Sequence, residues 1–246
     1  MELDSATDLF DGERIESIIF NNGRILDDKM FISSTFVDCD FSNAEITNCV
    51  FSDCDFINCN LSMCNLKGTK IDDVSFKDCQ LMGIDFTVMR WPKIARKKSK
   101  FAVSFDHCVL NYSIFIGMNM YMAHFTDCSL KEVCFEETDL EKAVFDNVDL
   151  SSAIFNNTNL SGADLLKAAN YNINPGTNRL TKAKFSLPEA MSLLYSMSLL
   201  EASFESTLVF SAMRLSDLAL SIQIKAIPNV ISVAMRAMLP VHQLSL

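Results

Sequence analysis

The 246-residue chain is poor in histidine and lacks local Cys/His clusters and long uncharged apolar runs. It has only three histidines, His107, His124 and His242, and no C-x-x-C pair among its nine cysteines. A zinc site wants Cys or His in tight local clusters of that kind, so no metal and no other cofactor is expected. No uncharged apolar run approaches the roughly 18 residues that a membrane-spanning helix needs. The opening stretch "MELDSATDLFDGERIES" is acidic and polar, without a signal-peptide hydrophobic region. Together these features predict a soluble, cytoplasmic protein that does not touch the membrane. Tryptophan occurs once, at Trp91.

What the chain has instead is a period of five. In "CVFSDCDFINCNLSMCNL" the cysteines 49, 54, 59 and 64 fall five apart, and Phe51, Phe56, Leu61 and Leu66 keep the same step two residues later. An amphipathic helix repeats its apolar face every 3.6 residues and a half-buried strand every 2, so neither explains the step. The large apolar residues hold one phase from Phe36 to Phe86 and a second from Phe105 to Leu165. Ahead of them Ile15, Phe20, Ile25 and Met30 keep the step too, with a one-residue slip at Met30/Phe31. Two residues before most of the large ones sits a small one, with Ile84 and Met118 as bulky exceptions. The unit therefore reads small, any, large, polar, polar.

Such a unit fits a parallel solenoid of square cross-section, four sides of five residues to a coil, rising by about one strand spacing of 4.8 Å per coil. Large and small residues both point inward; the other three positions face water. Eight of the nine cysteines fall in the small inward slot and only Cys134 is out of register. Stacked neighbours with parallel side chains are poorly placed for a disulfide dihedral, so these thiols read as reduced core packing.

Catalysis finds no support in this pattern. His107 and His124 each lie near a cysteine, but those cysteines are interior by register while the histidines are not. A Cys/His nucleophile needs both side chains within reach in a cleft, and a convex rod offers none. The expectation is a protein that is not an enzyme.

Charge carries the functional reading. Residues 1–165 hold 27 Asp and Glu against 14 Lys and Arg, and six of those cations lie between Arg90 and Lys100. Without that segment the rod has 27 acidic against 8 basic residues, a net of −19. Over a rod of roughly 37 Å this is about one net negative charge per 1.9 Å, close to the roughly 1.7 Å of duplex DNA. A solvated acidic surface that only aids solubility gives the same count.

Between Phe86 and Phe105 the repeat breaks at "TVMRWPKIARKKSKFAVS", with about 14 residues read as extra. Met89, Arg90, Trp91, Pro92, Lys93, Arg96, Lys97, Lys98 and Lys100 form an aromatic and basic element on an acidic rod, a candidate partner-binding loop spanning residues 88–103. Two other readings are a Trp91 folded back on the solenoid, and a nucleic-acid-binding loop, which the acidic surroundings disfavour.

After Ala168 the five-residue phase is lost. "SLPEAMSLLYSMSLLEASF" has a helix start, with Ser186 as N-cap and Glu189 three residues on. Phe185, Ala190, Leu193, Leu194 and Met197 are the candidate cap and dimerisation residues that cover the open end of the coil. The chain thus divides into a repeat domain, 1–168, and a C-terminal segment, 169–246, whose apolar, Met-rich part from 201 onward has no assigned role.

The repeats "CDFSNAEI", "CDFINCNL" and "TDLEKAVFDNVDLSSAIFNNTNLSGADL" resemble those of pentapeptide-repeat proteins, consensus A(D/N)LXX, over roughly residues 15–165. The resemblance implies an all-β fold: a right-handed quadrilateral parallel β-helix, here with a projecting loop and a C-terminal helical cap. "CQLMGIDF" before the interruption, "FDHCVLNYSIF" after it and "NYNINPGTNRLTKAKFSLPEAMSLL" at the end are similar to the Qnr-type quinolone-resistance and microcin-immunity members. That likeness implies DNA mimicry, a DNA gyrase or topoisomerase IV partner, protection from quinolones or topoisomerase toxins, and a homodimer through the C-terminal segment. The alternative for the same fold is a structural or protein-interaction scaffold with no topoisomerase role.

Overall fold

The computed structural model describes residues 8–90 and 103–196. Among them are thirteen strands of two to eight residues, one 3-10 turn at Phe86–Val88 and a short helix, Met191–Ser196. Every strand pair is parallel, and each joins one coil to the next, giving a β-solenoid of about eight turns. The period of five is thus one side of a four-sided coil: Phe51 pairs with Ile71, Phe56 with Phe76 and Phe125 with Phe145, a register of 20 residues.

The sides are numbered here from Phe10 (first), Ile15 (second), Phe20 (third) and Leu26 (fourth), all buried. On the second side Phe36, Phe56, Phe76, Phe105, Phe125 and Phe145 stack ring on ring at 4.6 to 5.3 Å. A second column of rings, Phe86, Phe115, Phe135 and Phe155, runs up the fourth side at 4.5 to 5.4 Å. Between these columns the small slots fill the remaining interior, and all eight cysteines assigned to them are buried while Cys134 is half-buried. The sulfur of Cys79 donates to the Phe56 and Lys77 carbonyls at 3.3 and 3.2 Å, and Cys39, Cys59, Cys108 and Cys128 repeat that pattern along one column. Burial pushes the Cys49 and Cys64 thiols up to about 11 and about 12, so they are protonated packing groups.

The polar positions of the repeat have structural work of their own. The residue before the large one is often Asp or Asn, and its side chain accepts from the backbone N–H one residue past the large one: Asp40 from Ser42, Asn60 from Ser62, Asp139 from Glu141, at 3.0 to 3.1 Å. The last residue of each unit turns the corner with positive φ, as in Asp38 (53°), Asn43 (57°) and Asp78 (54°). Asn, Asp and Gly tolerate that conformation best, which explains their recurrence there.

Three features differ from the sequence expectation. The first coil has a register of 21, pairing Phe10 with Phe31 and Ile15 with Phe36. Its extra residue lies at the corner of Asn22 and Gly23, where two consecutive residues have positive φ (55° and 78°). The slip therefore precedes Leu26, and Leu26 and Phe31 fill the core while Ile25 and Met30 are 65% and 41% exposed. Second, the interruption pairs Phe76 with Phe105 and Asp85 with Ile114, a register of 29 against 20 elsewhere, so it adds nine residues and not fourteen. The aromatic column crosses it without a gap, since Phe76 and Phe105 stack at 5.3 Å.

Third, the solenoid continues beyond Ala168. Asn159 bridges Arg179, and Leu165 pairs with Phe185. The phase is lost in the sequence because Tyr171, Ile173 and Asn178 take inward places that a small or large aliphatic residue holds elsewhere. Asn178 fits because its amide accepts from Thr158 N at 2.9 Å and donates to the Phe155 carbonyl at 3.1 Å. Past Phe185, Ser186 offers its backbone carbonyl to Ala190 N at 2.9 Å, and the helix begins only at Met191, so Ser186 is not its N-cap.

Candidate functional site

The coil register decides where the acidic residues fall. On the second side every coil from the first to the eighth carries at least one carboxylate: Glu13 and Glu16, then Asp38, Asp55, Asp78, Asp106, Asp127, Asp146 and Asp164. Nine carboxylates there face four cations, Arg14, Lys77, Lys167 and Lys184. Toward the ends the carboxylates are paired, Glu16 with Arg14, Asp146 with Lys167 at 2.9 Å and Asp164 with Lys184 at 2.8 Å. In the middle they are held by neutral donors of the adjacent coil: Asn58 on Asp38 at 2.7 Å, Ser75 on Asp55, and Asn147 on Asp127. Neutral donors fix a carboxylate without cancelling its charge, so Asp38, Asp55 and Asp127 keep theirs.

The third side is the contrast. Residues 18–22, 59–63, 79–83 and 108–112 contain no charged residue, the other coils of this side add only Asp40, Lys131, Glu132 and Asp149, and Met63, Met82 and Tyr112 are exposed there. Acidity is therefore uneven between these two sides: every coil of the second carries a carboxylate, and three coils of the third do. The coil rises about 4.8 Å per turn, so the second side presents a line of carboxylates over roughly 38 Å.

The inserted segment meets this side directly. Residues 91–102 connect Arg90 on the first side to Val103, the first residue of the second side in that coil, three residues before Asp106. Met89 is 8% exposed and takes an inward small slot, where it lines an apolar cavity of about 20 Å³ with Ile71 and Phe86. Arg90 bonds Thr69 O through its backbone at 2.8 Å and turns its guanidinium onto the Gly68 and Asn48 carbonyls. These two residues anchor the insertion. Trp91, Pro92, Lys93, Arg96, Lys97, Lys98 and Lys100 lie outside the described residues.

At the other end Phe185, Ala190 and Leu193 are buried at 5%, 0% and 0% and close the last coil, with the Tyr171 and Phe185 rings 5.9 Å apart. The Leu194 side chain and Met197 lie outside the described residues. The Tyr171 hydroxyl is buried with no hydrogen-bond partner.

Beside the insertion, Asp106, His107 and Asp127 converge. His107 Nδ1 is 2.9 Å from Asp106 Oδ1 and Nε2 is 3.6 Å from Asp127 Oδ2. The Asp106 carboxylate raises the imidazole above its ordinary value, with Asp127 and Asp78 adding to the effect. Sequence reading missed this group because the three residues meet only through a stacking register of 20 between the coils.

Repeat units of this kind match known family models. A model described as pentapeptide repeat region matches residues 29–102, and one described as pentapeptide repeats (8 copies) matches 104–141 and 128–165. The chain belongs to the pentapeptide-repeat family. No curated protein sequence matches it. Among solved structures, QnrB1, a plasmid-mediated fluoroquinolone resistance protein, is 20% identical over 77% of this chain and 97% of its own, with a TM-score of 0.46. HetL, a pentapeptide-repeat protein involved in heterocyst differentiation regulation in the cyanobacterium Nostoc sp. strain PCC 7120, is 15% identical over 74% and 86%, with a TM-score of 0.41. Among the described residues no helix is long and apolar enough to cross a membrane.

Proposed function

We propose that this pentapeptide-repeat rod is a DNA mimic that docks its acidic second side on a type II topoisomerase, DNA gyrase or topoisomerase IV. The inserted segment 91–102 makes the second contact, and the result is protection of the enzyme from quinolones or topoisomerase toxins. The observation that carries this reading is the distribution of charge: the second side bears a carboxylate on each of eight consecutive coils, while the third side bears three in all, Asp40, Glu132 and Asp149. A surface charged only for solubility has no need of sides. The inserted segment holds five cations (Lys93, Arg96, Lys97, Lys98, Lys100) and rejoins the described chain at Val103, three residues before Asp106, which supports assigning it the second contact. A homodimer through the C-terminal segment belongs to the same proposal and lengthens the rod.

The second reading is a protein-interaction scaffold without a topoisomerase partner. It is favoured by the corner and turn roles of Asp38, Asp78 and Asp127, whose positive φ accounts for an Asp without any partner.

The deciding experiment is gyrase supercoiling in ciprofloxacin with three proteins: wild type, a variant in which three residues replace 91–102, and Asp55→Asn/Asp106→Asn/Asp146→Asn. Restored supercoiling by the wild type and by neither variant supports the proposal. No restoration by the wild type, and no inhibition at excess protein, rejects it in favour of the scaffold.

A further inference from the structure

The corner between the second and third sides carries a column of residues, Asp78, His107, Asp127 and Asn147, one per coil. His107 sits in it with φ 52°, so its ring lies along the rod surface between two carboxylates. With the Asp106 carboxylate 2.9 Å from Nδ1, the neutral ring keeps its proton on Nδ1 and turns the Nε2 lone pair to Asp127. The 3.6 Å from Nε2 to Asp127 Oδ2 is too long for a hydrogen bond. It is close to the roughly 3.4 Å between two ligand atoms that each lie about 2.1 Å from a tetrahedral ion. The other Asp127 oxygen is occupied by Asn147 Nδ2, which directs Oδ2 at the ring.

We infer that His107 Nε2 and Asp127 Oδ2 form a surface site for one divalent ion of the zinc class, with Asp106 as the positioning carboxylate and water completing the shell. A carboxylate on the far nitrogen of a ligating histidine fixes its tautomer and strengthens it as a donor. An imidazole nitrogen selects zinc, nickel or copper over magnesium and calcium, which want a shell of oxygen donors. The three side chains are 41%, 56% and 35% exposed, so an ion reaches the site from solvent. The inference stands independently of any topoisomerase partner.

Calorimetric titration of the full chain with zinc chloride, in a Cys134→Ser background that removes the half-buried thiol, tests it. One ion per chain is expected at this site, with no heat from magnesium chloride under the same conditions. His107→Asn, which keeps a residue suited to the left-handed corner, and Asp127→Asn each weaken binding at least tenfold; Asp106→Asn weakens it by about tenfold. Asp38→Asn, His124→Ala and His242→Ala leave it unchanged, and urea midpoints confirm that each variant is folded. Binding that survives His107→Asn overturns the site. Binding that falls as much with Asp38→Asn reduces it to diffuse attraction to the acidic side, and absence of binding rejects it outright.

Discussion

Removing the ring of Phe125 tests whether the aromatic column is the main source of cohesion between coils. Phe125 is fully buried, stacked at 5.2 Å on both Phe105 and Phe145, and meets Phe135 edge to face with ring centroids 6.1 Å apart. Phe125→Ala forfeits about 2 kcal/mol of transfer free energy. A void of roughly 80 Å³ at about 24 cal/mol per Å³ adds about 2 more, because strands pinned above and below leave the site little room to collapse. The expected loss is about 4 kcal/mol, read as a lower urea midpoint at unchanged slope. Phe10→Ala is the matched comparison: its ring stacks on one neighbour, Phe31, at 4.7 Å. Only the terminal coil depends on it, so its loss frays that coil and moves the global midpoint by less than half as much. A Phe125→Ala cost below about 2 kcal/mol, or an equal cost for Phe10→Ala, would refute the stacked-column account.

Other outcomes are as specific. Iodoacetamide should label one thiol, Cys134, in the native described region, and the eight buried cysteines only after denaturation; mass spectrometry counts the adducts. Tyr171→Phe should leave stability unchanged or raise it by up to about 1 kcal/mol in urea melts, since it deletes a buried hydroxyl without a partner. For Asp149, partial burial acts to raise the pKa, but bonds from Asn170, Ser151 and Lys131 outweigh it and hold the carboxyl at about 2 against an ordinary 3.8. A depressed pKa contributes stability that is present above the ordinary value and lost as pH falls through about 2. Asp149→Asn should therefore be less stable than wild type at pH 7, with the difference closing near pH 2. Replacing 91–102 by three residues restores a 20-residue coil and should raise stability by about 1 kcal/mol through the shorter closure, with thermal melts as the readout.

The core was legible because the period of five assigns an inward or outward place to nearly every residue between Phe36 and Leu165, including all eight core cysteines. It was illegible where two adjacent residues suit the same slot. Ile25 and Leu26 are equally apolar, and only the two left-handed residues at Asn22 and Gly23 decide between them. The last coil was hidden for a different reason: Asn178 fills an apolar slot by bonding inside it, which no hydropathy pattern signals. The site was partly legible, as acidity and an inserted segment. Its organisation by side was not, because assigning Asp78 and His107 to one column needs the 29-residue register across the insertion. Met89, read as a contact residue, is an inward anchor because the regular coil persists through Arg90 before the chain departs.

A uniform register also makes the rod a ruler. The backbone of each described coil pairs only with the coils next to it, so inserting or deleting 20 residues between corners changes length by one graduation of about 4.8 Å and leaves the strand pairing elsewhere intact. The 29-residue coil demonstrates the complementary freedom, nine added residues that leave the graduations unchanged. Reach along a partner and grip upon it are thus separate quantities in this chain, each adjustable by whole segments without renegotiating the core.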